Sequence, residues 1–70
     1  MAESLPVKFG KRVRKYRHAA ALSQLDMLSR GFTLSHFQKI ERGALDPRLS
    51  TVVKLAKALG VSVGELADKL

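Results

Sequence analysis

Apolar residues recur along this 70-residue chain at helical spacing, and short polar residues or glycines interrupt the pattern. From Val7 to Ala20, the side chains of Phe9, Val13, Tyr16 and Ala20 fall on one narrow stripe at about 100° per residue. That stripe predicts a first helix with these residues inward, and Pro6 suits its entry. Ser23 with Asp26 three residues later is a capping-box-like start. It predicts a short second helix that ends by Arg30, because Gly31 can take the left-handed conformation of a C-cap. Thr33 then caps a third helix, Leu34 to Arg42, stopped by Gly43. Phe37 and Ile40 face inward on it, Glu41 sits at their edge, and Ser35, Lys39 and Arg42 share the open face.

Residues 43–47 read as a turn by composition. Beyond them Leu49, Val52, Val53, Ala56 and Leu59 recur at i, i+3, i+4, i+7 and i+10, predicting a fourth helix closed by Gly60. Ser62 and Glu65 repeat the capping box and open a fifth helix to about Lys69. No segment alternates with the period of a strand. The expectation is an all-α fold of five short helices around one core over residues 7–70, with residues 1–6 as a flexible N-terminus. Met27 and Leu28 are assigned to the core. So are Tyr16 and Phe37, rather than to a stacking platform for single-stranded nucleic acid.

Seventy residues make a single domain, which buries only roughly 60% of the surface its unfolded chain exposes. The hydrophobic share of 46% is enough for a packed core. With no cysteine there is no disulfide scaffold and no thiolate metal site. No apolar stretch approaches the ~20 residues of a membrane span, and the N-terminus lacks a signal-peptide core, so a cytoplasmic location is expected. Thirteen Lys and Arg against six Asp and Glu give +7, which suggests a polyanionic partner: DNA, RNA or an anionic membrane surface. Lys8, Lys11, Arg12 and Lys15 gather on a second stripe of helix one, either a solvated face or an electrostatic footprint.

Catalysis has little to stand on. No Ser or Cys meets a His and an acid in a recognised motif, and neither a Gly-rich phosphate loop nor paired carboxylates occur. His18 and His36 have no Cys partners and no acids at ligand spacing, so no metal site is expected. Neither a cofactor nor a small-molecule ligand is evident.

Two short helices joined by a tight turn containing Gly31 make a helix-turn-helix unit. In order, Phe9 to Arg14, Leu22-Ser23-Gln24, Ile40-Glu41-Arg42-Gly43, Pro47 and Leu55 to Val61 closely resemble helix-turn-helix regulators of the phage-repressor and Cro type (XRE-like). The resemblance covers all but the first six residues. It implies the lambda-repressor-like fold, with helix two over the DNA backbone and helix three in the major groove, and a homodimer on a palindromic operator. It also implies that Gln24 grips a phosphate, and that Leu34, Ser35, His36 and Lys39 face bases. Arg17 and Glu41 match a pair that joins helix one to helix three in some members. Three features depart from the pattern. The span from Gln24 to Glu41 is one residue short of the commonest spacing, Ala21 stands where glycine is common, and Leu34 and Ser35 are weak base readers.

Thr33, at the cap of helix three, joins the candidate DNA contacts. Lys39 suits either guanine acceptors or a phosphate. Arg42 is either a contact or a charge complementing the helix dipole. Arg48, at the mouth of helix four, is placed for backbone phosphate or the minor groove. The function expected is sequence-specific binding of double-stranded DNA by a transcriptional regulator, a repressor in the first reading. The alternatives are an antitoxin-type protein-interaction module with secondary DNA binding, and a non-specific nucleic-acid binder. For the dimer, Val61, Val63 and Leu66 near helix five are the expected contacts. A phage, restriction–modification or toxin–antitoxin setting would each suit such a protein.

Overall fold

Ser4 in an extended conformation and Pro6 at the second helical position start helix α1, Leu5–Ala19, in a computed structural model that describes residues 3–70. The helix begins two residues before the expected Val7, since proline's missing N–H is no loss in a first turn. The flexible segment assigned to 1–6 is therefore corrected for Leu5 and Pro6, which are helical; Met1 and Ala2 lie outside the described residues. Phe9 and Val13 face the core, Tyr16 is half-buried, and Ala20 is exposed at the C-cap. Arg17 takes the inward place that the stripe had given to Ala20.

The second helix is a 3₁₀ helix, η1, Leu25–Arg30. Its start is the capping box expected: Ser23 Oγ accepts from the Asp26 N–H at 3.1 Å, and the Ser23 N–H donates to Asp26 Oδ2 at 2.6 Å. That backbone bond, more than the hydroxyl, holds the Asp26 carboxyl below its ordinary range. Winding at three residues per turn eclipses i and i+3. Leu25 and Leu28 consequently line up on the outside, and the assignment of Leu28 to the core is corrected. Met27 alone points in and is fully buried. Gly31, with φ +94°, closes the element.

Helices α2, Leu34–Arg42, and α3, Leu49–Leu59, have the bounds the pattern predicts, each closed by a left-handed glycine. The inward face of α3 is rotated from the expected stripe. It runs through Val52, Leu55, Ala56 and Leu59, whereas Val53 is exposed and Leu49 is 75% exposed. Leu49 sits in the first turn, beyond the reach of the core. Helix α4, Val63–Ala67, is capped by Ser62 Oγ accepting from the Glu65 N–H at 3.0 Å. It ends two residues before Lys69, which adopts a positive φ of 55°.

The core is one cluster: Phe9, Val13, Met27, Phe32, Phe37, Ile40, Leu55, Ala56, Leu59 and Leu66. Phe32 and Phe37 meet edge to face with ring centroids 5.8 Å apart. Leu66 is fully buried there, so it cannot serve as a dimer contact. Among the described residues no strand occurs, and no helix is long and apolar enough to cross a membrane.

α1 packs unusually close to the C-terminal end of α2 through Gly10. A Cβ on Gly10 would stand 2.5 Å from the carbonyl oxygens of both Ile40 and Glu41. Gly10, Arg14 and Arg17 lie at i, i+4 and i+7, one face of the helix. The backbone approach at Gly10 therefore delivers both arginines to Glu41.

Candidate nucleic-acid interface

Glu41 is the junction of the molecule. Its carboxylate accepts from Arg17 Nε at 2.6 Å and Nη2 at 3.1 Å, a two-pronged contact between side chains that are nearly excluded from water (Arg17 7% exposed, Glu41 4%). The remaining Arg17 Nη1 donates to the Leu22 carbonyl at 2.9 Å. Arg14 approaches Glu41 Oε1 at 3.5 Å from the solvent side. Gln24 Nε2 donates to the same oxygen at 3.0 Å. Burial by itself would raise the Glu41 carboxyl. The hydrogen bonds from Arg17 and Gln24, with the charges of Arg17 and Arg14, outweigh it and hold the group below its ordinary range.

Gln24, expected to reach outward, is half-buried and tied on both sides. Its Nε2 meets Glu41, and its Oε1 accepts from Gln38 Nε2 at 3.2 Å. Gln38 had not been singled out by the sequence. Its place on the helix held the signal, since it lies about 60° from Ser35 and adjoins Glu41 at i, i+3. Arg14 was missed for a similar reason. It reads as one more charge of a basic helix until α1 is docked on α2.

Ser35, His36, Lys39 and Arg42 occupy one exposed arc of α2, while Leu34 is half-buried at its start. Thr33 Oγ1 is engaged as the N-cap, accepting from the His36 N–H at 3.2 Å. The His36 ring leans towards Phe32, with centroids 6.4 Å apart. His36 and Arg48 line the same open cleft, of about 350 Å³, with Leu45, Asp46, Pro47 and Thr51. The structure thus brings Arg48, from the mouth of α3, to the N-terminal end of the α2 arc.

Several cations are engaged within the fold. Lys11 pairs with Glu3, and Arg12 Nη1 donates to the Glu65 carbonyl at 3.0 Å. Arg30 Nη1 donates to the Ala58 carbonyl at 3.1 Å, near the end of α3. Lys54 binds the Gly31 carbonyl and lies 4.5 Å from the Phe32 ring centroid. These side chains close helix ends and corners. Among the described residues, by contrast, the side chains of Ser35, Lys39, Arg42 and Arg48 appear in no intramolecular hydrogen bond or ion pair. The basic stripe of helix one is therefore partly occupied. Lys11 and Arg12 are engaged, whereas Lys8 and Lys15, like Lys57 and Lys69 elsewhere, make no hydrogen bond or ion pair among the described residues. Lys39, Arg42 and Arg48 add unengaged cations on and beside α2. No group of His, Cys, Asp and Glu among the described residues is placed to hold a metal ion.

Ala21 forms the corner between α1 and η1 in the left-handed region, with φ 57°. This is the conformation a glycine would take without strain, so the corner keeps its shape and carries the strain of a Cβ instead.

Comparison with known proteins agrees with this arrangement. The family model described as a helix-turn-helix domain matches residues 8–70. An uncharacterized HTH-type transcriptional regulator of Sinorhizobium fredii is 37% identical over 61 residues, which is 86% of this chain but only 31% of that protein. Among solved structures, the restriction–modification controller protein C.AhdI of Aeromonas hydrophila superposes with a TM-score of 0.81 at 39% identity, covering 87% of this chain and 94% of that one. Both relatives align with most of a chain whose capped α2, glycine turn and Glu41 junction have the helix-turn-helix arrangement. The chain belongs to the helix-turn-helix family of DNA-binding regulators, of the phage-repressor and Cro type.

Proposed function

We propose that this protein binds double-stranded DNA sequence-specifically as a homodimeric transcriptional regulator, a repressor in its simplest mode, with α2 in the major groove. The observation that carries the reading is the contrast among polar side chains. Those closing helix ends are engaged, whereas Ser35, Lys39, Arg42 and Arg48 stand exposed and unpartnered on and beside one helix. An exposed α-helical arc bearing donors and cations fits the major groove, whose base edges carry a distinct pattern for each pair. Thr33 and Leu34 set the depth of entry, and His36 and Arg48 flank it. Phosphate neutralisation supplies affinity, and the base-facing side chains supply discrimination. The chain works in the cytoplasm in this reading.

A chain this small covers one half-site, so two copies would meet a palindrome with centres roughly 34 Å apart. With Leu66 committed to its own core, Val61 and Val63 remain as half-buried contacts near α4. The apolar groove lined by Leu5, Phe9, Leu49, Val52, Val63 and Leu70 extends that surface. The likeness to a controller protein favours control of a nearby operon, and restriction–modification genes are the first neighbours to look for.

Competition titrations with Arg48→Ala and Lys39→Ala on selected and random duplexes, at two salt concentrations, test the reading. Arg48→Ala should weaken every duplex alike and flatten the log–log salt slope by about one unit. Lys39→Ala should cost ~1–3 kcal/mol on the selected duplex and much less on random DNA. Equal loss on both would make Lys39 a phosphate clamp and pass base reading to Ser35 and His36. Parent protein that does not discriminate between duplexes at physiological salt would refute sequence-specific binding.

A further inference from the structure

We infer that Gln38 is a positioning residue for DNA backbone contact: with Glu41 it holds the Gln24 amide from both ends and fixes which atoms Gln24 offers. The inference rests on the DNA-binding function proposed above. It begins with an asymmetry of chemistry. The Glu41 carboxylate only accepts hydrogen bonds, so the end of the Gln24 amide that faces it must be Nε2. The opposite end, Oε1, is then turned to Gln38, whose own Nε2 must face it to donate at 3.2 Å. The buried carboxylate thus orients a row of two amides running from the α1–α2 junction to the exposed arc of α2.

The consequence is a single orientation of Gln24. One of its two N–H bonds is taken by Glu41, and the other remains for an anionic acceptor. Without Gln38, the half-buried Gln24 side chain keeps only its Glu41 contact and can swing about it, which loses pre-organisation for binding. Gln38 itself is exposed, so its truncation leaves the core intact. Reading and gripping are then linked, because Gln38 stands on the helix that enters the groove while Gln24 stands on the element over the backbone.

A double-substitution cycle with Gln24→Ala and Gln38→Ala on a random-sequence 20-base-pair duplex isolates this link, since base reading contributes little there. Gln24→Ala should weaken binding about tenfold, the effect of a hydrogen bond to a charged group. Gln38→Ala should weaken it about threefold, and the double variant should be no weaker than Gln24→Ala within about twofold. In the free protein, Gln38→Ala should also shift the side-chain amide resonances of Gln24 while leaving the melting temperature unchanged. Losses that multiply independently, or unmoved Gln24 amide resonances, would overturn the positioning role. Parent protein that binds no duplex at all would instead overturn the DNA-binding function, a failure distinguishable from uncoupled variants of a protein that binds.

Discussion

Glu41→Gln is the most demanding test of how this fold is held together. The substitution keeps the size of the side chain and removes its charge, while Arg17, 7% exposed, keeps its own. In the parent, Arg17 directs Nε and Nη2 at the carboxylate, and Nη1 at the Leu22 carbonyl. An amide presents one acceptor in place of two, so one of the first two contacts is lost and the guanidinium has no counter-charge. Stranding one member of a buried pair costs ~3–5 kcal/mol. In a chain of this size each kcal/mol moves the midpoint by roughly 4–8 °C, so a drop on the order of 12 °C or more is expected. Thermal melting followed by circular dichroism reads it directly. Arg17→Met combined with Glu41→Met should recover part of the loss, because well-packed apolar side chains can replace a buried pair at little cost. Melting of Glu41→Gln within about 3 °C of the parent would refute the argument. So would a double variant as unstable as the sum of the two singles, since the side chains would then not be coupled.

Other outcomes follow from the same geometry. The Glu41 carboxyl lies below its ordinary value of 4.5 in the fold, so its stabilisation is complete above that pH and is lost as pH falls through the lowered value; acid titration of the melting midpoint should show this, and Glu41→Gln should lack it. Ala21→Gly should stabilise the protein by about 0.5–1 kcal/mol, because it removes left-handed strain of ~1–2 kcal/mol against the greater entropy of glycine in the unfolded chain. Gly10→Ala, ordinarily favourable inside a helix, should destabilise by ~1–3 kcal/mol and displace α1, since its Cβ would lie 2.5 Å from two carbonyl oxygens. In the proposed dimer, Val63→Asp should shift sedimentation from dimer to monomer, with some loss of melting temperature because Val63 also packs against the core; a dimer unaltered by the substitution would move the interface elsewhere.

Local chemistry made much of this fold legible in the sequence, and cross-helix contact explains most of what was not. Ser23, Thr33 and Ser62 cap helices through bonds only three residues long, so their roles are visible without a tertiary structure. Gly31, Gly43 and Gly60 end helices for an equally local reason, their positive φ. The arc of Ser35, Lys39 and Arg42 follows from helical period alone. Gln38 and Arg14, by contrast, acquire their partners only when η1 and α1 dock on α2. Leu66 and Leu49 show the same limit in the core. Both are apolar at helical spacing, and only packing decides that one is buried and the other bare.

The short span between Gln24 and Glu41 coincides with 3₁₀ winding of the segment that leads away from Gln24. A 3₁₀ helix rises ≈ 2.0 Å per residue against ≈ 1.5 Å for an α-helix, so six residues of η1 reach about as far as eight α-helical ones. Overwinding would thus offset a short segment, and Gln24 Nε2 does meet Glu41 at 3.0 Å. The compensation has a cost. Hydrogen-bond geometry is poorer in 3₁₀ winding, and Leu25 and Leu28 are rotated into solvent. Inserting one alanine after Leu28 should let the segment relax towards α-helical winding without separating Gln24 from Glu41. Backbone chemical shifts across residues 25–30 would then move towards α-helical values, and the Gln24 side-chain amide would keep its resonance. Should the insertion instead leave the 3₁₀ winding in place and release Gln24, the overwinding is a local preference of these residues and not a response to the length of the span.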